Sequence, residues 1–148
     1  MRIARNYEVS SAHLLPNHKG KCQNLHGHNY VIEVVIEGEV NTDKDSSEYG
    51  MIVDFDRLDK IMKVVVLDPY DHWFLNEVLD YPTAERIVVD ILDRVEEPLS
   101  REGLSSVTIR VHETSKSWAE ATRSLVVESS TPPGWSQLWD DLKAALQK

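Results

Sequence analysis

The chain is 148 residues long, 41% hydrophobic and 28% charged, with a formal net charge of −9 at pH 7, which fits one globular domain with its own core and leaves little room for a second. No basic stripe runs through it, which argues against a nucleic-acid surface, and no apolar run approaches a membrane span or the core of a leader peptide, so a soluble cytoplasmic protein is expected. Its single cysteine cannot form an internal disulfide and implies no oxidising compartment.

From Arg2 to His13, Ile3, Tyr7 and Val9 share one parity of a broad alternation, which predicts a half-buried strand. Pro16 and Gly20 break the pattern in LLPNHKGKCQNL, and HGHNYVIEVVIEGEV then interleaves valines and isoleucines with glutamates as a second strand. NTDKDSSEYG is a polar surface connection. In DFDRLDKIMKVVV, Phe55, Leu58, Ile61, Met62 and Val65 recur at helical spacing behind Asp54 as N-cap. A second helix follows in YPTAERIVVDILDRV, capped by Thr83, with Ile87, Val88, Ile91, Leu92 and Val95 as its apolar stripe. SSVTIRVHET alternates again, and ATRSLVVESS reads as a shorter strand after a polar turn. The end of the chain, TPPGWSQLWDDLKAALQK, predicts a docked amphipathic helix with Leu138, Leu142 and Leu146 on one face and Trp135 and Trp139 four residues apart. This order predicts an α+β domain over residues 1–148, an antiparallel sheet with helices on one face and residues 131–148 as a C-terminal helical extension.

The histidines carry the first chemistry. His26 and His28 stand two apart at the entry of an extended segment, so both imidazoles point to one side of the sheet. Gly27 between them allows a close backbone approach or an unusual dihedral. If the first two strands pair as a hairpin, His13 supplies a third imidazole, and three histidines with an open fourth position is the pattern of a catalytic zinc site. Two alternatives stay open: Cys22 closes the site as a fourth, structural ligand, or His18 replaces one of the three. Against closure, Cys22 lies beside Lys21, an electropositive setting that favours a reactive thiolate. Asp71 and His72 in YDHWFLN form a carboxylate–imidazole pair suited to proton transfer. Glu113 in VHET ends a strand and can accept two hydrogen bonds from the amino group and ring N–H of a heterocycle. Lys19 and Lys21 are local cations that a small anionic ligand could meet despite the acidic whole.

Taken in order, SSAH, KCQNLHGHNY, GMIVDF, YDHWFLN, PTAER and VHET resemble the family of 6-pyruvoyl-tetrahydropterin synthase and 6-carboxy-tetrahydropterin synthase, over about Tyr7 to Thr114. The resemblance implies a tunnelling fold: a four-stranded antiparallel sheet with two helices on one face. Its protomers would associate into trimers or hexamers, closing the sheets into a barrel with active sites between subunits. It also implies His13, His26 and His28 as ligands of Zn2+, Cys22 as the catalytic thiol, and Asp71 and His72 as proton-relay partners reaching the site from a neighbouring subunit. Glu113 would anchor the pterin ring of 7,8-dihydroneopterin triphosphate. Thr83 and Glu85 would lie near the site or its interface, and Lys19 and Lys21 are our own assignment for the triphosphate. Three residues, Gln23, Asn24 and Leu25, separate the cysteine from HGH; in the family that length goes with the 6-carboxy activity, which also releases acetaldehyde on the route to 7-deazaguanine products such as queuosine. The alternatives are the 6-pyruvoyl activity, with triphosphate elimination alone, and a zinc-containing module that binds a pterin or purine without turnover. Tyr70 departs from the leucine common before the Asp-His pair.

Overall fold

Alternation brings the first two segments together as a long hairpin. β1 (Arg2–His13) pairs antiparallel with β2 (His26–Glu37) from Arg2↔Glu37 to His13↔His26. β2 pairs with β3 (Ser106–Thr114), and β3 with β4 (Ser117–Ser124), giving one antiparallel sheet in the order β1-β2-β3-β4. The structure is a computed structural model that describes residues 1–125. The expected C-terminal helix and its tryptophans lie outside the described residues. Among the described residues no helix is long and apolar enough to cross a membrane.

Two helical segments cover one face of the sheet. Asp54 caps α1 (Phe55–Met62) by accepting from the Asp56 N–H, and a π-helical stretch, Lys63–Leu67, carries the chain on into α2 (Asp68–Tyr70). Thr83 caps α3 (Ala84–Ser100) through a hydrogen bond from the Arg86 N–H. The core lies between these helices and the sheet: Val9, Tyr30, Ile32, Val34 and Ile36 with Val107, Ile109 and Val111 from the strands, against Leu58, Ile61, Met62, Ile87, Ile91 and Val95. Each such side chain contributes roughly 1.5–3 kcal/mol on burial.

Two boundaries differ from expectation for identifiable reasons. The apolar stripe of the first helix runs through Leu58, Ile61 and Met62 as expected but continues at Val66, leaving Val65 only partly buried. The wider π turn inserts a residue and shifts the inward position by one. Phe55 is exposed, under the guanidinium of Arg5 at 5.7 Å. The last strand begins at Ser117, where a polar turn was expected, and ends at Ser124. Its inward residues are Ala119 and Ala121, too small to give a strong period-two signal.

Candidate metal centre

The register of the β1–β2 hairpin builds the site. His13 pairs directly with His26, and Ser11 with His28, so alternation turns all three imidazoles to the covered face. Among the described residues they form the one group of candidate ligands whose donor atoms all lie within 4.8 Å of one another. Gly27 faces the other way, and a Cβ there would meet the Ser11 carbonyl oxygen at 3.2 Å. Close packing against β1 is therefore what glycine serves here; its φ is not positive.

Backbone carbonyls fix two of the tautomers. His13 Nδ1 lies 2.8 Å from the Pro82 carbonyl oxygen, and His26 Nδ1 lies 2.8 Å from that of Asn24. A carbonyl only accepts, so each Nδ1 carries the proton and each Nε2 keeps its lone pair. Those two Nε2 atoms face each other at 3.1 Å, and His28 Nε2 is buried without a hydrogen-bond partner. Two lone pairs and a third, unpartnered ring nitrogen converging on one point fit a cation between them, and imidazole nitrogens suit zinc. The carbonyls are the outer partners that orient such ligands. Burial, foremost, and the other two imidazoles hold the His28 pKa below its usual value, against an opposing pull from Glu113, so the neutral, ligand-competent ring is favoured.

Glu113 stands at this centre. Its Oε1 is 3.7 Å from His13 Nε2 and 3.8 Å from His28 Nε2. Tyr30 is fully buried beside the imidazoles, its hydroxyl 3.3 Å from His13 Nδ1. Burial first, then the charges of Glu113 and Cys22, push its phenol pKa upward. Cys22 stands four residues before His26. It sits half-buried in a short turn, Lys21–Gln23, and its carbonyl oxygen accepts from the Leu15 N–H at 2.8 Å, two residues past His13. His18 is exposed and its Nδ1 accepts from the Gly20 N–H, which removes it as a competing ligand. Lys19 and Lys21 are exposed on the same loop, and none of the centre's hydrogen bonds reaches them.

Asp71 and His72 are held elsewhere in the same protomer, along the free edge of β1. The Ser10 N–H donates to Asp71 Oδ1 at 2.9 Å, and the His72 N–H donates to the Ser10 carbonyl oxygen at 2.7 Å. His72 Nδ1 meets Asp71 Oδ2 at 3.0 Å. The Ser10 N–H, above all, holds the Asp71 carboxyl below its usual pKa, helped by His72. His72 adopts φ 58°, a left-handed conformation costly for a non-glycine residue and often retained at functional sites. Its side chain is 81% exposed, on the rim of an open depression of about 480 Å³ shared with Ser10, Ala12, Gly27, Asn29 and Trp73. Thr83 and Glu85 sit at the start of α3, next to the Pro82 carbonyl that holds His13.

Several contributors carry no signature in the sequence. The carbonyls of Pro82 and Asn24 act through the backbone, which residue type does not announce. Asn76 closes YDHWFLN, and its side-chain amide both accepts from the Leu14 N–H at 3.0 Å and donates to the Leu14 carbonyl at 2.9 Å. It thereby extends the edge contact begun by Ser10 and by the Ala12 N–H on the Trp73 carbonyl. The signal for Asn76 was its place in the same short motif.

The family model described as 6-pyruvoyl tetrahydropterin synthase matches residues 2–124. The 6-carboxy-5,6,7,8-tetrahydropterin synthase of Haemophilus influenzae is 45% identical over 74 residues, 50% of this chain and 51% of that protein. The protein of the same name from Synechocystis is 35% identical over 109 residues, 72% of this chain and 83% of the relative. Among solved structures, the 6-pyruvoyl tetrahydropterin synthase of Caenorhabditis elegans superposes with a TM-score of 0.69 at 30% identity, covering 84% of this chain and 96% of that one.

Proposed function

Because this chain belongs to the 6-pyruvoyl tetrahydropterin synthase family, we propose that it is a zinc-dependent 6-carboxy-5,6,7,8-tetrahydropterin synthase of the cytoplasm. In this reading it is a carbon–carbon lyase that converts 7,8-dihydroneopterin triphosphate to 6-carboxytetrahydropterin, releasing acetaldehyde and triphosphate on the way to 7-deazaguanine products such as queuosine. The observation that carries it is the convergence of three imidazole nitrogens, one of them buried without a partner, with a thiol loop tied to the end of the strand that bears His13. The three-residue spacer from Cys22 to His26 and the relatives that carry the 6-carboxy name favour this product over the 6-pyruvoyl one.

His13, His26 and His28 would hold the zinc, which when bound supplies Lewis acidity toward a side-chain hydroxyl of the pterin. Cys22, beside Lys21, acts as the thiolate base that takes a proton from the substrate side chain. His72 works from its Nε2: Nδ1 is engaged by Asp71, which orients the ring. Asp71 and His72 are held along the edge of β1, and in this reading they serve the site of a neighbouring subunit in a homo-oligomer. Lys19 and Lys21, exposed on the thiol loop, meet the triphosphate. Glu113 fixes the pterin ring by accepting from its amino group and ring N–H.

The test is metal dependence. Protein stripped with a chelator and incubated with 7,8-dihydroneopterin triphosphate is expected to be inert, and zinc at one equivalent per chain restores turnover. Full turnover by the stripped protein would refute the reading.

A further inference from the structure

Glu113 is asked to hold a pterin ring, yet its carboxylate stands among the imidazoles. To grip the ring, that carboxylate has to swing away from the metal that meets the side-chain hydroxyls. We propose that Glu113 is a displaceable fourth ligand: in the ligand-free protein it closes the metal held by His13, His26 and His28, and an incoming hydroxyl takes its place. This rests on the zinc reading above.

Alternation in β3 aims the side chain here, since Val107, Ile109 and Val111 are buried on the covered face and Glu113 follows in phase. Two donors of one zinc ion, each about 2.0–2.2 Å from it, lie at most about 4.3 Å apart. Glu113 Oε1 meets that limit toward His13 Nε2 at 3.7 Å and His28 Nε2 at 3.8 Å; it stands outside the group whose donor atoms all lie within 4.8 Å of one another, so to close the fourth position the carboxylate has to turn further toward His26. Chemistry argues the same way. His13 Nε2 offers a lone pair, not a proton, because its other nitrogen donates to Pro82. A carboxylate oxygen facing that lone pair repels it unless a cation lies between them. Three neutral imidazoles would leave a dication's full charge in a partly buried site, and one carboxylate halves it.

Displacement is built into the position. The pairing of β3 with β4 is irregular between His112 and Thr114, and the pairing with β2 stops at Val31↔His112. Glu113 therefore sits on backbone released from both neighbours, as bulge residues beside active sites commonly do. Its side chain is 28% exposed, so the released carboxylate has water or a ring donor to accept from.

The test is cobalt substitution. Co2+ replaces zinc in the whole protein, and its visible absorption reports the donor set without any turnover. Wild type, Glu113→Gln and Glu113→Ala are each titrated with Co2+, alone and then with neopterin, and circular dichroism checks that each variant is folded. The proposal expects Glu113→Ala to differ from wild type in spectrum before neopterin and to converge with it afterwards. Metal affinity should fall by at least the roughly 10–100-fold that losing an outer partner costs, with Glu113→Gln between. Identical spectra and affinities for all three would overturn it while leaving the zinc reading intact. Unchanged cobalt binding in a His26→Ala, His28→Ala double variant would instead overturn the zinc reading itself, and the proposal with it.

Discussion

Cys22 and the three imidazoles make separable claims at the scale of single residues. If the thiol is the base and not a ligand, Cys22→Ala keeps one zinc per chain and an unchanged melting temperature, while turnover falls by roughly 10²–10⁴, the usual worth of a positioned general base. Metal analysis beside a rate measurement checks this, and joint loss of metal and stability would make Cys22 a structural ligand. Asp71 gives a pH prediction. Its folded pKa lies below the ordinary aspartate value, so its contribution to stability is present above that value and is lost as pH falls through the lower, folded one. The gap in melting temperature between wild type and Asp71→Asn should hold steady from pH 7 to about 4.5 and close below about pH 4; a gap that widens there would contradict the assignment. The convergence of the three imidazoles was legible because residue type and strand parity together fix a face. Pro82 was not, because its carbonyl matters only where the chain brings it to His13.

At the scale of elements, the segment from Asp71 to Asn76 is zipped along the β1 edge through Ser10, Ala12 and Leu14, while Ser11 bonds the Tyr70 carbonyl from the covered face at 2.6 Å. Tyr70 itself is buried and donates to Asp90, which Arg94 also binds. A leucine there could fill space but could not tie α2 to α3. Removing Asn76 leaves the Leu14 N–H and carbonyl without partners, so Asn76→Ala should cost about 1–3 kcal/mol in denaturant unfolding; a change below the error of the measurement would mean the pair is idle. The strands and both helices were readable from periodicity. The π stretch was not: KVVVL is apolar at four successive positions and so carries no phase for a turn to reveal. The start of the last strand was hidden by its alanines.

At the scale of the whole molecule, one protomer presents its imidazoles on the helix-covered face of β1 and β2 and its Asp71–His72 pair along the edge of β1. The sequence named every one of these residues, but the face each occupies depended on pairing that residue types alone do not give. Shared sites predict complementation. Cys22→Ala and His72→Ala protomers, each inactive alone, should regain a measurable fraction of wild-type turnover when co-assembled, and persistent inactivity of the mixture would place both groups in one subunit's site.

The most direct measurement follows the products of zinc-loaded protein incubated with 7,8-dihydroneopterin triphosphate, with pterins and acetaldehyde quantified together. The account predicts acetaldehyde and 6-carboxytetrahydropterin in equal amounts. Release of triphosphate without acetaldehyde, or a bound pterin recovered unchanged, would contradict it.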